Sequence, residues 1–264
     1  MNTKLDEIFN SSKSTLSYII IVCTIFFLIT GYTKVQTENK NQKDFVKIFN
    51  GKNLDNWEGD PTYWRVENGN LVGEVTPETL LERNSFIIWR GGLPSNFELK
   101  VDYRVSKNGN SGINYRSEEV DGVPFALRGY QADLDGANRY TGSNYEERRR
   151  TTIASRGEKV ILKTAGANQS LADNIEKNRW TAIEVVGSLG DKDSLASYVK
   201  NEDWNEYHLI IKGNHLKHYI NGVLMSDVKD KDKLNRRLKG LLGVQVHVGP
   251  PMKIEYRNFR LKEL

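Results

Sequence analysis

Hydrophobic and polar residues alternate along much of the chain with a period of two, which is the pattern of a half-buried β-strand. The clearest example is NFELKVDYRVS, residues 96–106, with apolar side chains at odd positions and charged ones at the even positions between them. Two further stretches, residues 63–74 and 206–227, contain strands joined by Asn-Gly and Gly-Asn pairs, which are strong hairpin signals. Many short strands at regular spacing predict an all-β fold, a sandwich of two antiparallel sheets.

The last strand, MKIEYRNFRLKEL, changes the phase of this alternation. Its apolar residues stand at even positions up to Tyr256 and at odd positions from Phe259. One extra residue near Arg257 and Asn258 would restore the inward face, so we predict a β-bulge there.

Helix is expected to be scarce. The segments DKDSLASYVK, residues 191–200, and DKDKLNRRLK, residues 230–239, could each form a short surface helix. Residues 150–190 are predicted to be an insertion of irregular content.

One long apolar run, LSYIIIVCTIFFLITG at residues 16–31, stands apart from the strands. Its apolar core of about fifteen residues is short for a membrane-spanning helix and typical of a signal peptide. No clear cleavage motif follows, so an uncleaved N-terminal anchor is the alternative. We assign residues 1–31 to a signal peptide or anchor, the polar residues 32–44 to a linker and residues 45–264 to the folded domain. Export to the periplasm, cell surface or medium follows from either form, with membrane contact only through an uncleaved segment.

Composition excludes several functions. A formal net charge of +4 on 264 residues gives no reason to expect nucleic-acid binding. The only cysteine, Cys23, lies in the apolar run, which excludes a disulfide framework or thiolate metal cluster from the folded domain. No compact metal-ligand motif is found, so the metal ligands are unknown and no cofactor is predicted with certainty. If a hard cation binds, oxygen ligands favour Ca²⁺ or Mg²⁺. The oligomeric state is left open.

Three strands carry a polar face of an unusual kind, made of amide, carboxylate, guanidinium and imidazole groups. They are SGINYRSE (111–118), GYQADLDG (129–136) and GVQVHVGPP (243–251), and their alternate positions hold Asn114, Arg116, Gln131, Asp133, Gln245 and His247. A generic solvated face is rich in Lys, Glu and Thr, whereas these three segments contain no Lys. If the strands are neighbours, this face suits a polyhydroxylated ligand, whose hydroxyls pair with planar bidentate groups. The alternative is an exported structural or adhesion domain in which the face is simply solvated.

The strand GVQVHVGPP also predicts where its histidine lies. Alternation turns Val244, Val246 and Val248 to the core and His247 to the ligand face. The Gly-Pro-Pro stop that follows places His247 near the rim of the groove.

Several blocks of the sequence, in order, resemble the 3-keto-disaccharide hydrolase domain, formerly a domain of unknown function. They are FVKIFNGKNLDNWEG, YWRVENGNLVGE, NFELKVDYRVSKNGNSGINYRS, DWNEYHLIIKGNHLKHYINGVLMSD and GLLGVQVHVGPPMKIEYRNFRLKEL. The resemblance runs from about Phe45 to Leu264 and implies an exported, concanavalin-A-like jelly roll that cleaves glycosides whose sugar has been oxidised to a 3-ketone. Many members carry Glu-x-Gln where this chain has Gln131-Ala132-Asp133, and residues 140–158 follow a subgroup version with an acidic pair after Tyr145.

A 3-keto sugar offers a route of cleavage that an ordinary sugar lacks. The ketone acidifies the C2 proton, so a base can remove it and the enolate can expel the C1 substituent, after which water can add. Such a route needs a base, a stabiliser for the enolate oxygen and an acid for the leaving group. His247 suits the role of the base. Arg116 or a divalent metal could stabilise the enolate oxygen. Asp133 and the pair Glu146 and Glu147 could serve as the acid or as metal ligands. The predicted catalytic residues are His247, Asp133, Glu147 and Arg116, and the predicted substrate-binding residues are Asn114, Gln131, Gln245, Tyr145 and Glu146.

Two other functions remain open. A two-carboxylate glycoside hydrolase could use Asp133 with Glu146 or Glu147. A non-catalytic, lectin-like carbohydrate-binding module would instead need an exposed aromatic platform, for which the aromatic choices are Trp57, Trp89, Tyr140 and Trp180. Convergence of His247, Asp133 and Arg116 in one pocket would favour an enzyme, and an open aromatic face would favour the module.

Overall fold

The structure, a computed structural model, describes residues 44–166 and 171–264. The predicted leader, residues 1–31, and the predicted linker, apart from Asp44, lie outside this part of the chain. Within the described residues, no helix has the length and apolar character needed to cross a membrane.

Strands make up most of the described chain, with two short helices. In chain order the strands are β1 (Val46–Lys47), β2 (Trp57–Glu58), β3 (Trp64–Glu67), β4 (Asn70–Val75), β5 (Ser85–Trp89), β6 (Phe97–Val105), β7 (Asn110–Glu119), β8 (Leu127–Asp135), β9 (Asn144–Glu147), β10 (Thr151–Ala154), β11 (Glu158–Leu162), β12 (Ile183–Ser188), β13 (Asn205–Lys212), β14 (His215–Ile220), β15 (Val223–Asp230), β16 (Leu241–Val246) and β17 (Met252–Glu263). The helices are α1 (Leu171–Lys177) and α2 (Lys192–Ala196).

The strands form two sheets. The ten-stranded sheet has the order β12-β11-β15-β14-β13-β6-β17-β4-β3, with β1 paired to β17, and the seven-stranded sheet has the order β10-β9-β8-β7-β16-β5-β2. Neighbouring strands are antiparallel, except that β11 and β15 run parallel. The predicted two-sheet β-sandwich is confirmed.

The core lies between the sheets and follows from the alternation. Strand β6 alternates buried and half-buried residues along its whole length, so its odd-numbered side chains enter the core. From the seven-stranded sheet, Ile113, Ala132 and Val244 enter the same apolar cluster. Residues one position away on these strands therefore face the opposite side of the seven-stranded sheet.

Two local predictions are confirmed. The pairing of β17 with β6 shifts register between Arg257 and Arg260, and Asn258 has a φ of 55°, as expected for the bulge. Helix α2 lies within the first segment predicted to be helical, and Asp191 caps it by accepting hydrogen bonds from the backbone N–H groups of Asp193 and Ser194.

Two local predictions are wrong. Residues 231–240 form turns rather than a helix. The Asp232 carboxylate accepts the backbone N–H groups of Leu234 and Asn235 as a helix cap does, but the turn is not continued, because the backbone N–H of Arg237 donates to the Tyr130 hydroxyl instead of to a carbonyl four residues earlier. Residues 150–190, expected to be irregular, contain β10, β11, α1 and β12. The alternation is weak there because β12 ends its sheet, so its Val185 and Val186 are exposed instead of facing a core.

Candidate active site

A cavity of about 220 Å³ opens on the face of the seven-stranded sheet that is turned away from the core. Its lining combines the predicted residues Gln131, Asp133, Tyr145, Glu147 and His247 with Asn84, Asn110, Tyr140, Thr152 and Asn178. The predicted polar face and the predicted base therefore meet at one site.

Strand register brings these side chains together. Gln131 of β8 lies opposite Asn114 of β7 and Tyr145 of β9, and residues directly opposite each other in a sheet share a face. A side chain at Gly112 of β7 would meet the amide group of Gln131, whose atoms lie 2.5–2.7 Å from the position of its Cβ. The glycine thus allows Gln131 to fold across β7 toward Gln245 of β16.

A chain of hydrogen bonds links the two carboxyl groups of the cavity. The Gln131 Nε2 group donates to Asp133 Oδ1 over 2.9 Å. Gln245 Nε2 donates to Gln131 Oε1 and to Glu147 Oε2, each over 3.3 Å. Each glutamine therefore holds a carboxylate in place while the two amides hold each other.

Asn84 completes this arrangement and was missed by the sequence reasoning. Its Nδ2 donates to Glu147 Oε1 over 3.3 Å, and its Oδ1 accepts the backbone N–H of Val248 over 2.9 Å. Asn84 thereby fixes both a carboxylate and the residue next to His247. It lies in a loop directly before β5, where no alternation exists to indicate it.

Burial shifts the pKa of both carboxyl groups. Burial raises the pKa of Asp133 to about 8; the Gln131 hydrogen bond opposes this, and the nearby Glu147 and Asp135 charges add to it. Burial also raises the pKa of Glu147, against the hydrogen bonds from Asn84 and Gln245 and the charge of Arg148. At pH 7 Asp133 is therefore largely protonated, and a protonated carboxyl can donate a hydrogen bond or a proton.

His247 is half-buried directly after the end of β16. Its Nδ1 lies 2.5 Å from the carbonyl oxygen of Val248. Because a carbonyl only accepts, Nδ1 carries the proton and Nε2 keeps its lone pair. Burial lowers the pKa of His247, with the Val248 contact opposing it, so the ring is neutral at pH 7 and Nε2 is a free base.

The structure corrects the prediction for Arg116. The guanidinium donates hydrogen bonds to the backbone carbonyls of Ser95, Gly213 and Arg237 and is not part of the cavity lining. The reason is a bulge: the pairing of β7 with β8 shifts register after Tyr115, and Arg116 has a φ of 47°. Arg116 is thus a structural residue in this geometry.

Three more placements differ from expectation. Glu146 lies on the core side of the sheet and forms a buried ion pair with Arg150 at 2.5 Å, because its register partner is the core residue Tyr130. Asn114 shares the face of Gln131 but is fully buried beneath it and does not line the cavity. Val248 is 38% exposed, because β16 ends at Val246.

The four aromatic candidates do not form an open platform in the structure. Trp57, Trp89 and Trp180 are buried, so none of them offers a free face. Tyr140 is 48% exposed, but it lines the cavity, and the guanidinium carbon of Arg139 lies 5.4 Å from its ring centre. Tyr140 is therefore part of the cavity wall and not part of an open platform.

The expectation of a hard cation stays a prediction. Within residues 44–166 and 171–264, no group of three or more His, Cys, Asp and Glu side chains is arranged to hold a metal. Asp133 and Glu147 are the two carboxylates of the cavity that could contribute oxygen ligands.

Comparison with known proteins now identifies the family. Residues 44–262 match the model of the 3-keto-alpha-glucoside-1,2-lyase-like domain, which spans nearly the whole described chain. The chain belongs to this family. The resemblance seen in the sequence is confirmed.

One similar protein is the 3-keto-disaccharide hydrolase of Bacteroides thetaiotaomicron, which is 34% identical over 83 residues. The matched stretch covers 29% of this chain and 28% of the relative. The chain is therefore matched to less than a third of that relative's length.

Solved structures support the fold. Two proteins of Parabacteroides distasonis, whose assignment as glycosyl hydrolases is provisional, superpose with TM-scores of 0.53 and 0.52 at 17% and 18% identity. The first covers 83% of this chain and 99% of its own, and the second 87% and 98%. A Bacillus subtilis protein of unknown function with a galectin-like fold gives a TM-score of 0.51 at 12% identity, over 84% of this chain and 97% of its own. These neighbours agree with the jelly-roll sandwich.

Proposed function

We propose that this protein cleaves 3-keto-glycosides by removing the C2 proton and expelling the C1 substituent. The observation that carries the proposal is the cavity itself, which combines a neutral histidine with two carboxyl groups of raised pKa. Membership of the 3-keto-alpha-glucoside-1,2-lyase-like family and the name of the Bacteroides relative support the choice of substrate.

His247 is the base in this mechanism. Its Nε2 lone pair is free because Nδ1 donates to the Val248 carbonyl. A neutral imidazole can take a proton at pH 7 from a carbon acid that a neighbouring ketone activates. The C2–H electrons then enter the enolate that forms with the C3 oxygen.

Asp133 stabilises that enolate in place of Arg116. No Lys or Arg lines the described part of the cavity, so in this proposal a neutral hydrogen-bond donor takes the role given to Arg116. With Gln131 donating to Oδ1 and the pKa near 8, the proton of Asp133 resides on Oδ2. This hydroxyl donates to the developing enolate oxygen, as a protonated carboxyl does in an oxyanion hole.

Glu147 supplies the proton that the leaving group needs. Burial raises its pKa, which favours the protonated form that an acid catalyst needs. The C1–O bond breaks, the leaving oxygen takes the proton from Glu147, and a C1–C2 double bond remains. Addition of one water molecule across that bond would give net hydrolysis.

A two-carboxylate glycoside hydrolase is the second proposal, because Asp133 and Glu147 share the cavity and the Glu147 charge raises the pKa of Asp133. Such an enzyme would not require the ketone. The test is incubation with matched 3-keto-glycosides and their unoxidised parents, with products followed by mass spectrometry. Turnover of the 3-keto substrates alone supports elimination, and equal turnover of the parents supports the two-carboxylate mechanism.

The flat-platform binding module is less well supported. The polar face is a pocket rather than an open surface, and Gln131, Gln245 and Glu147 are buried in it, unlike the solvated face of a structural domain. Isothermal titration with an unoxidised disaccharide tests this alternative, since a module binds it without any turnover.

Location and cation binding are also proposals. We keep the export prediction for residues 1–31, with residues 45–264 as the working domain, and cell fractionation of the full chain against a chain lacking residues 1–31 tests it. A thermal shift on adding Ca²⁺ or Mg²⁺ after EDTA treatment, lost in Asp133→Asn, would support a cation held by the cavity carboxylates.

A further inference from the structure

A second cavity adjoins the candidate active site. Its volume is about 420 Å³, and Asn84 lines both this groove and the first cavity. The first cavity, of about 220 Å³, has room for about one sugar ring. A substrate larger than one ring must therefore extend beyond it.

The groove has the lining of a sugar-binding surface. Tyr63 and Phe125 contribute aromatic rings, and Leu80, which is 56% exposed, adds an apolar side chain. Arg83 and Asn84 provide hydrogen-bonding groups beside them. Apolar ring faces with hydroxyl-binding groups at their edge match a pyranose, which has apolar C–H faces and a rim of hydroxyls.

The junction of the two cavities lies where the leaving group would depart. Asn84 donates to Glu147 Oε1, and Glu147 is the proposed acid for the leaving oxygen. With the 3-keto ring in the first cavity and its C1 oxygen at Glu147, the C1 substituent projects past Asn84 into the groove.

We propose that the groove of Tyr63, Leu80, Arg83 and Phe125 binds the leaving-group sugar of a 3-keto-disaccharide. This inference rests on the proposed function, because it takes the first cavity as the site of the 3-keto ring. It makes the enzyme selective for substrates whose leaving group is a sugar over those with a small alkyl leaving group.

The test compares two substrates, a 3-keto-disaccharide and the methyl 3-keto-glycoside of the same sugar. Phe125→Ala and Leu80→Ala should each lower kcat/KM for the disaccharide by about fivefold to tenfold through lost contact area, and leave the methyl glycoside unchanged. Leu80→Ala removes an exposed side chain, so it remains informative if Phe125→Ala folds poorly. Tyr198→Ala, at an exposed tyrosine outside the groove, is the matched control and should change neither value.

The outcomes distinguish a failure of the leaving-group site from a failure of the proposed function. If wild type turns over both substrates and the groove variants affect them equally or not at all, the leaving-group site is wrong while the proposed function stands. If wild type turns over neither substrate, the proposed function fails and the leaving-group site fails with it.

Discussion

His247 is held in one tautomer by a single backbone contact, and its role follows from that contact. Because Nδ1 donates to the Val248 carbonyl, Nε2 is the atom able to accept a proton. Within residues 44–166 and 171–264 the side chain makes no second hydrogen bond, so its removal disturbs little of the fold.

His247→Ala should lower kcat on a 3-keto substrate by roughly 10²- to 10⁴-fold, the usual contribution of a general base. The melting temperature should change little. His215→Ala is a suitable control, since His215 pairs with Asp227 on the other sheet and should keep full activity. Full activity of the His247→Ala variant would show that another residue is the base.

Burial of the Asp133 carboxyl group lowers the folding stability of the protein at neutral pH. Its pKa is about 8 in the folded protein against about 3.9 in an unfolded chain. The folded state therefore binds more protons between these values, and stability falls as pH rises from about 4 to about 8.

Asp133→Asn removes this titration. The variant should lose activity and melt at a higher temperature than wild type at pH 8–9, with the difference shrinking toward pH 4. Thermal melts of both proteins across this range measure the effect. Leu80→Ala, which removes no titratable group, should show no such pH-dependent gain. A constant difference at every pH would contradict the raised pKa.

Three groups set the pH dependence of catalysis: the base His247 must be neutral, and Asp133 and Glu147 must be protonated. On the acid side kcat/KM should fall only below pH 6.5, because burial lowers the pKa of His247. On the alkaline side it should fall by about pH 8, where Asp133 loses its proton, or earlier if Glu147, whose pKa is also raised, loses its proton first. Initial rates from pH 4 to 10 on one 3-keto substrate give both limbs. Activity that keeps rising beyond pH 9 would exclude a protonated Asp133 from the mechanism.

At the scale of strands, the alternation predicts faces correctly wherever register is regular. Gln131, Asp133 and Gln245 share the outer face as expected. Strand β8 pairs with β7 in regular register from Asn110 to Tyr115, and the hydrogen bond from Gln245 to Gln131 places Gln245 on the same face. Arg116 was misplaced because the bulge in β7 leaves no phase change in the apolar pattern, unlike the bulge in β17. Glu146 was misplaced because a buried Arg150 allows a charged residue to occupy a core position.

Arg116 hydrogen-bonds the bulge of β7 to three loops, so we predict that its substitution changes stability. Arg116→Ala leaves several backbone carbonyls without their donor and should lower the unfolding free energy by about 3 kcal/mol. The melting temperature should fall by roughly 6–12 °C, while KM of the folded enzyme stays unchanged. Arg65→Ala, at an exposed ion pair, should cost under about 1 kcal/mol. A raised KM with unchanged stability would instead indicate that Arg116 contacts the substrate.

At the scale of the whole molecule, the sequence was sufficient for the sandwich and for most of one wall of the site. Strand periods and turn residues are local properties, so they are visible in the sequence. Asn84, Asn110, Thr152 and Asn178 reach the cavity through loops and strand order that bring distant segments together. No local sequence pattern indicates which distant segments meet in the fold. The proposed leaving-group groove could not be predicted from the sequence for the same reason.

The last prediction concerns the reaction as a whole. If the C2 proton is removed before or during loss of the leaving group, a substrate with deuterium at C2 should react about two- to sevenfold more slowly wherever that step limits the rate. The two-carboxylate mechanism breaks no C2–H bond and predicts an effect close to one. Competition between C2-deuterated and ordinary 3-keto-disaccharide, with isotope ratios read by mass spectrometry, makes the measurement. Deuterium at C4 is the matched control, because that bond is untouched in both mechanisms, so slowing confined to the C2 label would identify the enzyme as one that cleaves by elimination.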